Sequence, residues 1–273
     1  MQNFKSTPRE MIASLWRNRA LIYNLVLREV LGRYKGSMFG IAWSLVTPIF
    51  MLLVYTFVFS VVFKARWGAT GSDSKTEFAL VLFVGLMVFN LFSECVGRAP
   101  GLVLANVNYV KKVIFPLEVL PWVSMGSALF HFAVSLAVWL VAYLSLFGIP
   151  HWHVLLLPLV LVPLVLFVMG LSWALASLGV YLRDVGQLIG LVITVLMFLT
   201  PVFYPASSLP PDYQPLMFSN PLTPPVEMAR DLLYWGQLPN MTLLALYAAS
   251  SLACAVLGFA WFQKTRKGFA DVL

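Results

Sequence analysis

The sequence predicts an all-α integral membrane protein with six transmembrane helices. Three observations carry this. Hydrophobic residues make up 60% of the 273 positions and charged residues only 11%, where a soluble domain has about a quarter charged. Uncharged runs long enough to span a bilayer recur along the chain. Basic residues gather in alternate connections. The net charge of +7 comes with little soluble mass, so it points to anionic lipid headgroups and not to nucleic acid.

Residues 8–35 read as an amphipathic interface helix. At about 100° per residue, Ile12, Leu15, Trp16, Ile22, Tyr23, Val26, Leu27 and Val30 share one face, and Glu10, Ser14, Arg17, Asn18, Asn24, Arg28 and Glu29 share the other. Arg19 and Arg33 break the pattern. Such a helix lies in the headgroup plane. With no unbroken apolar core before Lys35, the segment is not expected to be a cleavable signal peptide.

Span one runs from Ser37 to Phe63, and span two from Phe78 to Ser93, continuing toward Gly97. Val119 to Leu182 holds no formal charge and is too long for one helix. Phe147-Gly148-Ile149-Pro150-His151 divides it into about 119–147 and 154–182, because Pro150 lacks an amide donor and Gly148 accepts turn geometry. Asp184 with Gln187 fits a capping box and starts span five, which runs to about Phe203. Span six is Met241 to Gln263, and residues 264–273 form a tail. Fourteen of the 18 Lys and Arg residues fall on the side of the termini, which puts both termini in the cytoplasm.

Two connections are more than turns. Arg98 to Pro116 is partly apolar and partly basic, and suits a short cytoplasmic helix spanning about Arg98 to Asn108. Residues 205–240 hold eight of the 17 prolines around "VEMARDLLYWG", and suit short external helices that cap or gate a pathway.

Catalytic patterns are absent. No GxxxxGK[ST], HExxH or matched GxSxG occurs. His151 and His153 flank Trp152 and read as interfacial anchors, so no metal site is expected. His131 in span three, near Ser135 and Trp139, reads as a satisfied packing residue. Cys95 and Cys254 read as small buried residues. No acidic residue lies at mid-depth in a span, so any transport would draw its energy from elsewhere.

Several motifs, in order, resemble one family. They are "REVLGRYKGSMFGIAW" (Arg28, Glu29, Arg33, Tyr34, Lys35, Ser37, Gly40, Trp43), "NVNYVKKVIFPLEVLP" (Asn108, Lys112, Phe115, Pro116, Glu118, Pro121), "YLRDV", "TPVFYP" and "NPLTPPVEMARD". The chain resembles the membrane subunit of ABC-2 type exporters, in the branch that moves lipid-linked polysaccharide such as O-antigen, capsule or teichoic acid. It departs from the family at Glu29, usually Asp, and at Leu117, often Arg. The resemblance implies a single transmembrane domain over residues 1–273, working as a pair. Two copies of a separate ATPase would dock below and bind ATP and Mg; no cofactor is expected in this chain. Other partners would be lipid-linked polysaccharide and membrane lipid, and the site would be the bacterial inner membrane.

Three groups of residues are candidates for function. Arg33, Tyr34 and Lys35 suit substrate access at headgroup depth, because Arg offers phosphate a planar fork and Lys a point charge. Their bland alternative is snorkelling. Arg98, Asn106, Asn108, Lys111 and Lys112 suit coupling to the ATPase. Trp43, Phe50 and Phe57, spaced by seven, offer a flat track for sugars, with Phe203 and Tyr204 near its outer mouth; the same spacing suits a dimer seam. The competing functions are export of a drug or small amphiphile, an intramembrane lipid-modifying enzyme, and a membrane scaffold.

Overall fold

The computed structural model describes residues 6–58, 75–111, 115–208, 210–214, 217 and 219–273, which are helical with no strand among them. Two helices precede the spans, α1 (Pro8–Arg17) and α2 (Arg19–Tyr34). The expected single interface helix is broken at Asn18, whose side-chain amide donates back to the Ser14 carbonyl (2.8 Å). That break accounts for Arg19 falling out of phase. Thr7 caps α1 by accepting from the Glu10 amide (3.3 Å).

The spans follow: α3 (Trp43–Tyr55), α4 (Lys75–Arg98), then the short α5 (Val107–Lys111), α6 (Leu120–Phe147), α7 (Leu157–Tyr181) and α8 (Val185–Leu199). After them come α9 (Thr223–Arg230), α10 (Met241–Thr265) and α11 (Phe269–Val272). Among the described residues, five stretches are long and apolar enough to cross a membrane: Gly40–Val58, Thr76–Gly101, Leu117–Phe147, Trp152–Tyr181 and Met241–Val272. The remaining expected span, span five, is α8, which has only 15 residues, against about 20 for a full crossing. It stops because Thr200 turns extended before Pro201. The end of span one, residues 59–63, lies outside the described residues.

Asp184 does precede α8, but its side chain caps nothing; it sits in helical geometry and only its carbonyl accepts, from the Gln187 amide (3.1 Å). The position was readable, the capping box was not formed. Asn240 does cap α10, accepting from the amides of Thr242 (3.0 Å) and Leu243 (3.1 Å).

Helices α4 and α7 occupy the centre. α4 is apolar all round, the mark of a buried helix, and nearly its whole length from Phe78 to Val96 is enclosed. α7 packs against α10 along a glycine seam: a Cβ at Gly170 would overlap the Cys254 carbonyl, and one at Gly258 would overlap the Gly170 carbonyl. Small residues let helix backbones touch where lipid supplies no hydrophobic drive. Polar side chains add to this, with Trp139 donating to the Leu80 carbonyl (3.0 Å) and Tyr181 to the Thr265 carbonyl (2.8 Å). Glu118 ties three elements together. Its carboxylate accepts from Ser14 of α1 (2.9 Å) and pairs with Arg266 (2.5 Å), and its carbonyl accepts from Trp173 of α7 (3.1 Å). The cation that position 117 lacks comes from the far end of the chain.

α3 and α8 are the opposite case. Only Pro48 of α3 is buried and no residue of α8 is, so both present apolar faces outward from the protomer.

Candidate functional site

Arg33 lies in the last turn of α2 and reaches α4 and α6. Its Nη1 donates to Glu94 Oε1 of α4 at 2.6 Å and stands 3.1 Å from His131 Nδ1 of α6. His131 Nδ1 lies 3.0 and 2.9 Å from the two Glu94 oxygens, and its Nε2 lies 3.1 Å from the Tyr34 hydroxyl. A carboxylate only accepts, so Nδ1 carries the proton and Nε2 takes the one from Tyr34. Burial raises the Tyr34 hydroxyl above its ordinary range, opposed by Arg33 and helped by Glu94, which keeps it a donor. His131 is satisfied, as expected, but by other partners than Ser135 and Trp139: it joins a charged cluster across three helices, while the Trp139 indole bonds the Leu80 carbonyl.

The cluster lines one end of a cavity of about 630 Å³ between α3, α4 and α6. Ser44, Thr47, Asn90, Ser93 and Ser135 form a polar belt next to the charges, and Met51, Tyr55, Phe83 and Leu86 line the deeper part. The cavity is amphipathic along its length. Lys35 caps α2 and is exposed.

The expected faces of the interface helices sort differently in the structure. Ile12, Trp16, Tyr23 and Leu27 are exposed, whereas the nominally polar side makes protein contacts. Ser14 meets Glu118, Arg28 donates to the Tyr109 hydroxyl (3.1 Å) and Glu29 pairs with Arg98 (2.5 Å). Val26 fits over Gly126, so the apolar residues divide between protein and surroundings.

The segment after Arg98 is not one helix. It runs through 3-10 turns at Ala99–Gly101 and Leu104–Asn106 before α5, because Pro100 and Gly101 disfavour a continuous helix. Its first turn is buried, with the Pro100 carbonyl seated against Gly179 of α7. Asn106 bonds its own turn, to the Leu102 carbonyl (2.9 Å), and Asn108 is exposed. Lys111 ends α5, and Lys112 lies outside the described residues.

Trp43 and Phe50 of α3, and Phe57 just beyond its end, are all exposed. Phe203 packs within 6.4 Å of the Tyr55 ring and 6.2 Å of the Phe198 ring, and the Tyr204 hydroxyl donates to the Phe198 carbonyl (2.7 Å). The structure thus joins Phe203 and Tyr204 to the end of α8 and leaves the stripe of three open.

The proline-rich segment is docked, not loose. Arg230 is completely buried and donates to the carbonyls of Val81 (3.1 Å), Pro201 (2.5 Å) and Val202 (2.9 Å) and to Glu227 (2.9 Å). Burial lowers it to about 10, against the pull of Glu227. A Cβ on Gly85 would sit 2.6 Å from Arg230 Nη2. Asn220 bonds the Leu199 carbonyl (3.2 Å) and Thr200 Oγ1 (2.9 Å). The two proline motifs are therefore two halves of one buried junction, with Arg230 bonded across it.

Comparison with known proteins gives a consistent result. The family described as ABC-2 type transporter matches residues 20–234. The chain is 30% identical over 263 residues to an O-antigen export system permease protein of Myxococcus xanthus, covering 96% of this chain and 98% of that one. It is 25% identical to an O-antigen export system permease protein of Klebsiella pneumoniae over 93% and 95% of the two chains. A polysialic acid transport protein of Escherichia coli is 23% identical over 88% and 91%. With apolar helices arranged as multiple spans and the family motifs folded into buried junctions, the chain belongs to the ABC-2 type transporter family of membrane proteins.

Proposed function

We propose that the chain is the channel-forming subunit of an ATP-driven exporter that carries lipid-linked polysaccharide of the O-antigen class out across the bacterial inner membrane. The observation that carries this is Arg33, half-exposed at the charged mouth of a cavity whose far end is apolar. A lipid-linked glycan has the matching order of parts: a pyrophosphate at headgroup depth and hydrocarbon below. The names borne by the relatives support the same substrate class.

In this reading two copies pair, and a separate ATPase binding ATP and Mg docks at α5 and the turns before it. Both termini are cytoplasmic. Trp43, Phe50 and Phe57 present rings that sugars slide past in the paired assembly, with Phe203 and Tyr204 toward the outer side. Fixed hydrogen bonds would hold a long polymer back, whereas flat aromatic faces tolerate any sugar in the series.

The test is the Arg33→Ala, Lys35→Ala double variant, expressed at wild-type level in a strain lacking the native gene. Surface polysaccharide should fall sharply while membrane insertion is unchanged. Full surface polysaccharide would return both residues to a plain anchoring role. Stimulation of the partner ATPase by amphiphilic drugs but not by lipid-linked glycan would favour the small-amphiphile exporter.

A further inference from the structure

The access cavity already holds an anion of its own. Glu94 Oε1 lies 2.6 Å from Arg33 Nη1, where an oxygen of a bound phosphate would sit on a guanidinium. An arginine open at headgroup depth would be met by every anionic phospholipid in the leaflet, since these are far more abundant than any export substrate. Those headgroups carry a single negative charge on a phosphodiester. A pyrophosphate carries more, on two adjacent groups.

We propose that Glu94 is a built-in competitor that sets a charge threshold: a lipid pyrophosphate displaces it from Arg33, and a lipid monophosphate or phosphodiester does not. This rests on the substrate-access reading of Arg33. His131 makes the exchange feasible. Both Glu94 oxygens lie within 3.0 Å of His131 Nδ1, so the carboxylate released from Arg33 keeps a partner. Without that partner, a carboxylate in a largely enclosed place would pay the desolvation penalty of an unpaired charge. Arg98, the other cation at the cavity, is paired with Glu29 at 2.5 Å and leaves Arg33 as the contested charge. Met51, Tyr55 and Leu86 at the deep end receive the first hydrocarbon units of the ligand.

The experiment uses the full chain in detergent, with binding read by native mass spectrometry. The probes are farnesyl pyrophosphate, farnesyl monophosphate and inorganic pyrophosphate. The wild type should favour farnesyl pyrophosphate over the monophosphate by roughly tenfold or more, the scale of one extra unit charge near a partly screened cation. Glu94→Gln should bring the two within about threefold by tightening the monophosphate, as the competitor's charge is gone. His131→Phe should act the other way, weakening farnesyl pyrophosphate without tightening the monophosphate. An unchanged preference in Glu94→Gln, or equal loss of both ligands, overturns the proposal. If Glu94→Gln does not accumulate, Glu94→Asp takes its place: one methylene shorter, it should narrow the preference, and an unchanged ratio overturns the proposal equally. Inorganic pyrophosphate binding as tightly as the farnesyl form would remove lipid from the ligand and overturn the assignment. Arg33→Ala separates the two readings. If it leaves farnesyl pyrophosphate bound, the access reading fails; if it abolishes binding while Glu94→Gln keeps the wild-type ratio, the competitor alone fails.

Discussion

Two arginines organise opposite ends of this bundle. Arg33 is half-exposed, touches one carboxylate and one imidazole, and faces a cavity. Arg230 is wholly enclosed and spends its guanidinium on three backbone carbonyls and Glu227. The carbonyls of Pro201 and Val202 lie past the end of α8, where no helix amide continues to reach them. The lesson is that an arginine's surroundings decide whether it fastens or exchanges. Arg230 cannot leave without stranding polar backbone in a water-free place. Arg33 can trade one oxygen for another at small cost.

That contrast can be broken most directly at Arg230. Arg230→Met should strand two carbonyls at about 1–3 kcal/mol each, lowering the thermal midpoint in detergent by upwards of about 5 °C. A variant that melts with the wild type would end the distinction. Arg33→Ala probes the other side. An exposed pair contributes about 0–1 kcal/mol, so the midpoint should move by less than about 3 °C, even where export is lost. A large drop would make Arg33 a fastener too.

A pH-dependent effect sharpens the junction around Arg230. Burial, with the nearby charge of Glu227, raises Asp231 from 3.8 to about 6 against the pull of Arg230. The folded form therefore holds this proton more tightly than the unfolded chain does. Its stabilising share is full below about pH 4 and is lost as the pH rises through about 6. Asp231→Asn should flatten the fall in thermal midpoint between pH 4 and pH 7. An undiminished slope would move the titration to another group.

The spans were legible because lipid admits few charges, so uncharged runs and the Gly148 break mark them plainly. Helix type at the edges was less so. α8 stops at Thr200 instead of Phe203 because Pro201 forbids the next turn, and the segment after Arg98 fragments at Pro100 and Gly101. Arg33, Tyr34 and Lys35 were readable from their place before a long apolar run. Glu94 was missed, and so was its pairing with His131, since the partners come from different helices and are far apart in the chain. A signal existed: an ionisable side chain inside a span, such as His131, needs a partner, and Glu94 near the end of span two was an acid within reach. The Arg266–Glu118 pair was hidden for the same reason, because nothing local links residues 148 positions apart.

The glycine seam between α7 and α10 bears on how the protein is made. α7 leaves the ribosome well before α10, and its groove at Gly170 is shaped for a backbone that does not yet exist. Until Gly258 arrives, that groove exposes peptide carbonyls and small side chains that lipid fills badly. Closure of the bundle is therefore timed by synthesis of α10, and the half-made protein carries a visible mark of incompleteness that membrane quality control could recognise.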